Sequence, residues 1–148
     1  MPFYKFIMKT GHCGAGNNGE LAICLYSPSY TKAMGQAKKF SAVKHGNFDA
    51  IISSKQIEEI EFVVGVLFNG YHKLMEDKQE FRTLQQNART LSYIKDYTFQ
   101  TPEGKQLKEF CDAYNKADNK QKQSLENKYK LWAMEVIRAH QNEVYYGF

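Results

Sequence analysis

Between two short apolar runs the chain reads Gly11-His12-Cys13-Gly14-Ala15-Gly16, and Gly19 follows. Glycine loses more backbone entropy on ordering than any other residue, so a helix cannot run through this segment. The flanking runs are short and rich in aromatic and aliphatic residues. Phe3 to Lys9 reads as a first strand and Leu21 to Tyr26 as a second. The chain must therefore open as a hairpin with a long loop. A loop of about nine residues exceeds a tight turn, so its length needs a reason of its own.

Ser27-Pro28-Ser29 ends the second strand, and Ser29 or Thr31 caps a helix that reaches about Val43. Ala33, Met34, Ala37 and Phe40 recur at helical spacing and face the sheet, with Lys32, Gln36, Lys38 and Lys39 on the other side. His45-Gly46-Asn47 stops that helix, and Asp49 to about Ile57 is a third strand centred on Ile51 and Ile52.

The rest reads helical. Ile60, Val64, Leu67, Phe68, Tyr71, Leu74 and Met75 make one apolar stripe over Glu58 to Met75. Phe81, Leu84, Ala88, Leu91 and Ile94 continue it in a second helix or an extension of the first. Thr101-Pro102 starts another helix, with Leu107, Phe110, Cys111 and Tyr114 on its apolar face. Asp118 caps a long last helix carrying Leu125, Tyr129, Trp132, Val136 and Ile137. The expected fold class is α+β: an N-terminal ββαβ sheet unit over residues 1–57, then a C-terminal bundle of three to four helices over 58–148, packed as one compact domain.

A chain of 148 residues buries roughly two thirds of its unfolded surface and needs no disulfide or metal to fold. Cys13, Cys24 and Cys111 form an odd set without a CxxC pair, which argues against a disulfide framework and a structural zinc site. No apolar run reaches the length of a membrane span, and no secretory apolar core follows the first residues. The expectation is a protein of the bacterial cytoplasm, with no membrane partner and no cofactor.

Charge is uneven. Residues 1–55 carry seven lysines against two acids, whereas residues 56–148 carry thirteen Lys and Arg against fourteen acids. The basic excess of the N-terminal third suits an anionic partner. Lys32, Lys38, Lys39 and Lys44, with Lys5, Lys9 and Lys55, are candidates to follow a phosphate backbone, and Tyr4, Tyr26 and Tyr30 to stack on bases. Lysines also solubilise any surface helix, which is the plainer account of them.

The glycine loop has two readings. Its backbone amides can form a nest for phosphate or carboxylate, or it can be a shaped hairpin loop. The letters match neither a P-loop nor a dinucleotide fingerprint, which needs a helix directly after it, and here a strand follows. His12 and Cys13 are adjacent and point to different sides of an extended chain, which argues against a direct base–nucleophile pair. His45 meets His12 only if the end of the first helix returns beside the loop, and otherwise serves as a helix C-terminal cation. His72 and His140 fall on helices without a ligand partner. Glu58, Glu59 and Glu61 start a helix, where the dipole is reason enough for them.

Gly11-His12-x-Gly14-x-Gly16, a helix, Val43-Lys44-His45 and Asp49-Ala50-Ile51 together resemble a group of small proteins of bacterial and mobile-element genomes. Members carry a Gly-His-Val-Gly-x-Gly turn, a helix, and Val-Lys-His before Asp-Ala-Ile. The likeness covers residues 3–57, and Cys13 stands where valine is usual. It implies that Gly11, His12, Gly14, Lys44 and His45 belong to one arrangement, and that the origin is a phage or mobile element. Small phage proteins without an enzyme motif act, by analogy, as blockers of host defence, for example of a CRISPR effector.

The leading expectation is a non-enzymatic binding protein for nucleic acid or for a protein that handles it. Its contacts would be Lys9, Gly11, His12, Gly14, Gly16, Lys32, Lys38, Lys39, Lys44 and His45. The alternatives are a small enzyme or nucleotide binder using His12, Cys13 and His45, and a structural homodimer held by the C-terminal aromatic helices with Tyr129, Trp132, Tyr145, Tyr146 and Phe148.

Overall fold

The computed structural model describes residues 2–9, 20–39, 51–67, 71–73 and 83–140. Strand β1 (Phe3–Lys9) pairs antiparallel with β2 (Glu20–Tyr26), Phe3 lying opposite Tyr26 and Lys9 opposite Glu20. Helix α1 (Tyr30–Lys38) follows, and β3 (Ile51–Gln56) returns antiparallel on the free side of β1. The register slips between Ile7 and Met8, which sets Ile51 opposite Met8 and leaves Ile52 as the extra residue of a bulge. The ββαβ order is therefore present.

Helix α2 (Glu59–Leu67) leads to an edge strand, β4 (Tyr71–Lys73), then α3 (Leu84–Leu91), α4 (Pro102–Lys116) and α5 (Asn119–Ala139). The sheet order is β3-β1-β2-β4. The protein is α+β, with four helices after β3 among the described residues.

The expected helix over Glu58 to Met75 needs correction. It ends at Leu67, and Tyr71 to Lys73 pair with β2, His72 opposite Ala22. His72 accordingly sits in a strand. Ile94 also leaves the helical register: α3 stops at Leu91, and the Ile94 amide donates to the Leu91 carbonyl at 2.9 Å in a following turn. Helix α1 ends at Lys38, short of Val43, where the Lys39 amide closes onto Gln36 at 3.1 Å.

Alternation along β1 divides the molecule. Tyr4, Phe6 and Met8 face α1, where Ala33 and Ala37 close a small core with Ile23. Phe3 faces the other way, into the main core of α2, α3, α4 and α5. There its ring stacks on Phe62 with centroids 4.4 Å apart. Every residue of α2 from Phe62 to Leu67 is buried, as expected of a helix apolar all round and clasped between a sheet and other helices. Each large side chain sunk in this core contributes about 1.5–3 kcal/mol.

Four helix starts are set locally; at α3, Thr83 accepts from the Gln86 amide at 3.3 Å. Ser29 accepts from the Lys32 amide at 3.2 Å, Thr101 from Gly104 at 3.1 Å, and Asp118 from Gln121 at 2.8 Å within a full capping box. Two of these starts, those of α3 and α4, are also tied across the fold. Glu126 of α5 accepts from the amides of Leu84 and Gln85, both at 3.2 Å, at the start of α3. Glu59 of α2 does the same for the segment entering α4.

Candidate nucleic-acid interface

Among the described residues, helix α1 is the only helix contributing to the apolar cluster on its face of the sheet. Its buried positions, Ala33 and Ala37, are one turn apart and small, so the helix lies close on Phe6, Met8 and Ile23. The opposite stripe is Lys32, Gly35, Gln36 and Lys39, all exposed. Lys32 and Lys39 are seven residues apart, about two turns or roughly 10 Å along the axis. The helix contains no acidic residue. Lys38 is half-buried beside this stripe.

Tyr30 starts the helix with 44% of its surface exposed. Its ring stacks on Phe6 at 5.8 Å and meets Tyr4 edge-on at 6.0 Å. Its hydroxyl lies 2.7 Å from Ser54 Oγ on β3. The ring is thus held rigid while part of it stays open to solvent.

The structure separates residues that the sequence grouped. Lys5, only 2% exposed, lies on the α2 side, opposite Cys24 on β2 and Lys55 on β3. Burial lowers its pKa, partly offset by the nearby Cys24 and Glu61. Lys55 lies 3.8 Å from Glu61 on the same side. Neither lysine can join Lys32 and Lys39 along one strand of phosphates. The reason is strand parity: in β1, Lys5 shares the face of Phe3 rather than that of Phe6. Lys9 has the same parity and also leaves the α1 stripe. Tyr26 packs between Phe3 at 5.6 Å and Tyr97 at 5.7 Å, so it is not a stacking platform beside Tyr30.

Gly11, His12, Cys13, Gly14, Gly16, Lys44 and His45 lie outside the described residues. So do Tyr145, Tyr146 and Phe148. Tyr129 is fully buried and Trp132 packs on Phe110 with centroids 5.3 Å apart, so both belong to the chain's own core. His140 ends α5 with Nε2 3.2 Å from Glu103 at the start of α4.

Glu59 was legible only as a helix-start acid. It does lie in the first turn of α2, but its carboxylate serves another helix. Oε1 accepts from the Tyr97 hydroxyl at 2.5 Å and the Gln100 amide at 2.9 Å. Oε2 accepts from the Thr101 amide at 2.7 Å and from the Thr101 hydroxyl. Burial opposes its ionisation, but these bonds outweigh burial and hold the carboxyl below the usual range. No signal in sequence could have joined residues some 40 positions apart.

Burial pushes the Cys24 thiol up to about 11 and the Cys111 thiol up to about 12. Both are poor nucleophiles at neutral pH. Among the described residues no three His, Cys, Asp or Glu side chains gather as metal ligands. Among them, too, no helix is long and apolar enough to cross a membrane. The chain matches no protein-family model, and comparison with curated proteins and with solved structures yields no match.

Proposed function

We propose that this chain is a non-enzymatic binding protein and that the outer face of α1 contacts the phosphates of a nucleic acid. The observation that carries this reading is the exposed Lys32, Gln36 and Lys39 stripe on a helix without an acidic residue. Two lysines fixed on a rigid helix pre-set their spacing, and half-exposed Tyr30 at the helix start supplies a ring for one base. Interaction with a host protein that handles nucleic acid, as an inhibitor of defence, rests on the resemblance of residues 3–57 and comes second.

The test is fluorescence anisotropy with a labelled single-stranded oligonucleotide. Affinity is expected to fall on raising salt from about 50 to about 200 mM. The Lys32→Glu/Lys39→Glu variant should bind weakly and show a salt slope lower by about 1 to 2. Absence of binding at low salt sinks the reading.

A further inference from the structure

A cleft of about 200 Å³ opens between α3 and α4, on the side of the sheet away from α1. Leu91 of α3 and Ser92 just after it line the cleft with Lys108 and Cys111 of α4 and with Phe99. The lining is apolar at depth: Cys111 is 2% and Phe99 3% exposed. A second hollow of about 370 Å³ adjoins it, sharing Lys95, Phe99, Lys108 and Asp112 and adding Lys105. The two are parts of one groove: polar and apolar surface line the inner cleft about equally, and the wider outer hollow carries Lys95, Lys105 and Lys108 against Glu109 and Asp112.

The rim charges are not equivalent. Lys108 lies 3.8 Å from Asp112, one turn along α4, and is partly neutralised. Glu109 also borders the outer hollow. Lys95 and Lys105 are exposed and form no ion pair with the described residues. They stand on different elements, Lys95 on the turn after α3 and Lys105 in the first turns of α4. The inner cleft falls below the roughly 300–1,000 Å³ of a drug-sized ligand site. It has room for a one- or two-ring body and not for a nucleic-acid chain.

We propose that this groove binds a small amphipathic anion. Its aromatic or short aliphatic body sits between Leu91 and Phe99, and its carboxylate, sulfonate or phosphate group is held at the mouth by Lys95 and Lys105. The floor contributes by removing apolar surface from water, and the two lysines select a single anionic head over a neutral one. Cys111 takes part as a small apolar wall.

Naphthalene-2-sulfonate, a two-ring anion, is a suitable probe, with uncharged naphthalene beside it. Titration of the sulfonate into the full chain should give saturable fluorescence from one site. Ser92→Trp, at an exposed position on the cleft edge, should fill the opening and abolish binding of both probes. Lys95→Glu/Lys105→Glu should weaken the sulfonate about tenfold or more and leave the neutral probe unchanged. Far-ultraviolet circular dichroism checks that each variant stays folded. Non-saturating fluorescence, or sulfonate binding unaltered by Ser92→Trp, overturns the site. Equal weakening of both probes by the lysine variant overturns anion selection. Oligonucleotide binding at α1 should be untouched by either variant, so this proposal and the one above fail separately.

Discussion

The carboxylate of Glu59, in the first turn of α2, accepts from both the backbone amide, at 2.7 Å, and the hydroxyl of Thr101, the residue that caps α4. One buried side chain therefore organises the start of a helix 42 positions downstream. It also fixes the segment from Tyr97 to Gln100 that leads into that helix.

Glu59→Gln removes the charge and sets an amide donor among four donors. The expected loss is about 1–3 kcal/mol of unfolding free energy, read from urea midpoints at constant slope. The pH dependence follows from the sign of the shift. The folded carboxyl titrates below the usual value of 4.5, so its contribution is complete above that pH and is lost as pH falls through the folded value. The gap between wild type and Glu59→Gln should narrow between pH 7 and about pH 3.5. A gap of constant size would remove ionised Glu59 from the account.

Gly104 and Gly35 should respond oppositely to alanine. A Cβ at Gly104 would lie 2.5 Å from Phe99 Cδ1 and 2.9 Å from Glu59 Oε2, whereas one at Gly35 meets nothing within 4 Å. Alanine favours a helix interior by about 1 kcal/mol over glycine. Gly35→Ala should therefore raise the thermal midpoint. Gly104→Ala should lower it, because Phe99 and the Glu59 carboxylate must both shift. A rise in both variants would show that the segment before α4 yields easily.

Cys24 and Gly65 are a coupled pair. A Cβ at Gly65 would lie 2.6 Å from Cys24 Sγ and 3.1 Å from its Cβ. Gly65→Ala should destabilise by about 1–3 kcal/mol, as overpacking does. Cys24→Ala removes the sulfur, so the double variant should recover part of that loss. A double-mutant cycle over the four proteins measures it, with about 0.5 kcal/mol or more of coupling expected. Strict additivity would mean that α2 moves off the sheet as a body.

What the sequence by itself determined was local. Ser29, Thr101 and Asp118 mark their helix starts because a capping side chain bonds an amide two or three residues away, within reach of any reading along the chain. The glycines after Lys9 separated β1 from β2 for a similar reason, since backbone freedom belongs to each residue. The exposed stripe of α1 was legible from the 3.6-residue period alone. Tertiary structure decided the rest. Tyr71 to Lys73 became a strand because β2 offered an edge to pair with, against an apolar pattern that suited a helix. Strand parity sent Lys5 into the α2 side, whereas Lys32 and Lys39 stand on the outer face of α1, dividing one basic group into a buried part and a surface part. Glu59 and Glu126 bind amides some 40 positions away, and only the packing of helices brings those partners within hydrogen-bond distance. A carboxylate's charge is written in the chain, but the donors it meets are set by the fold.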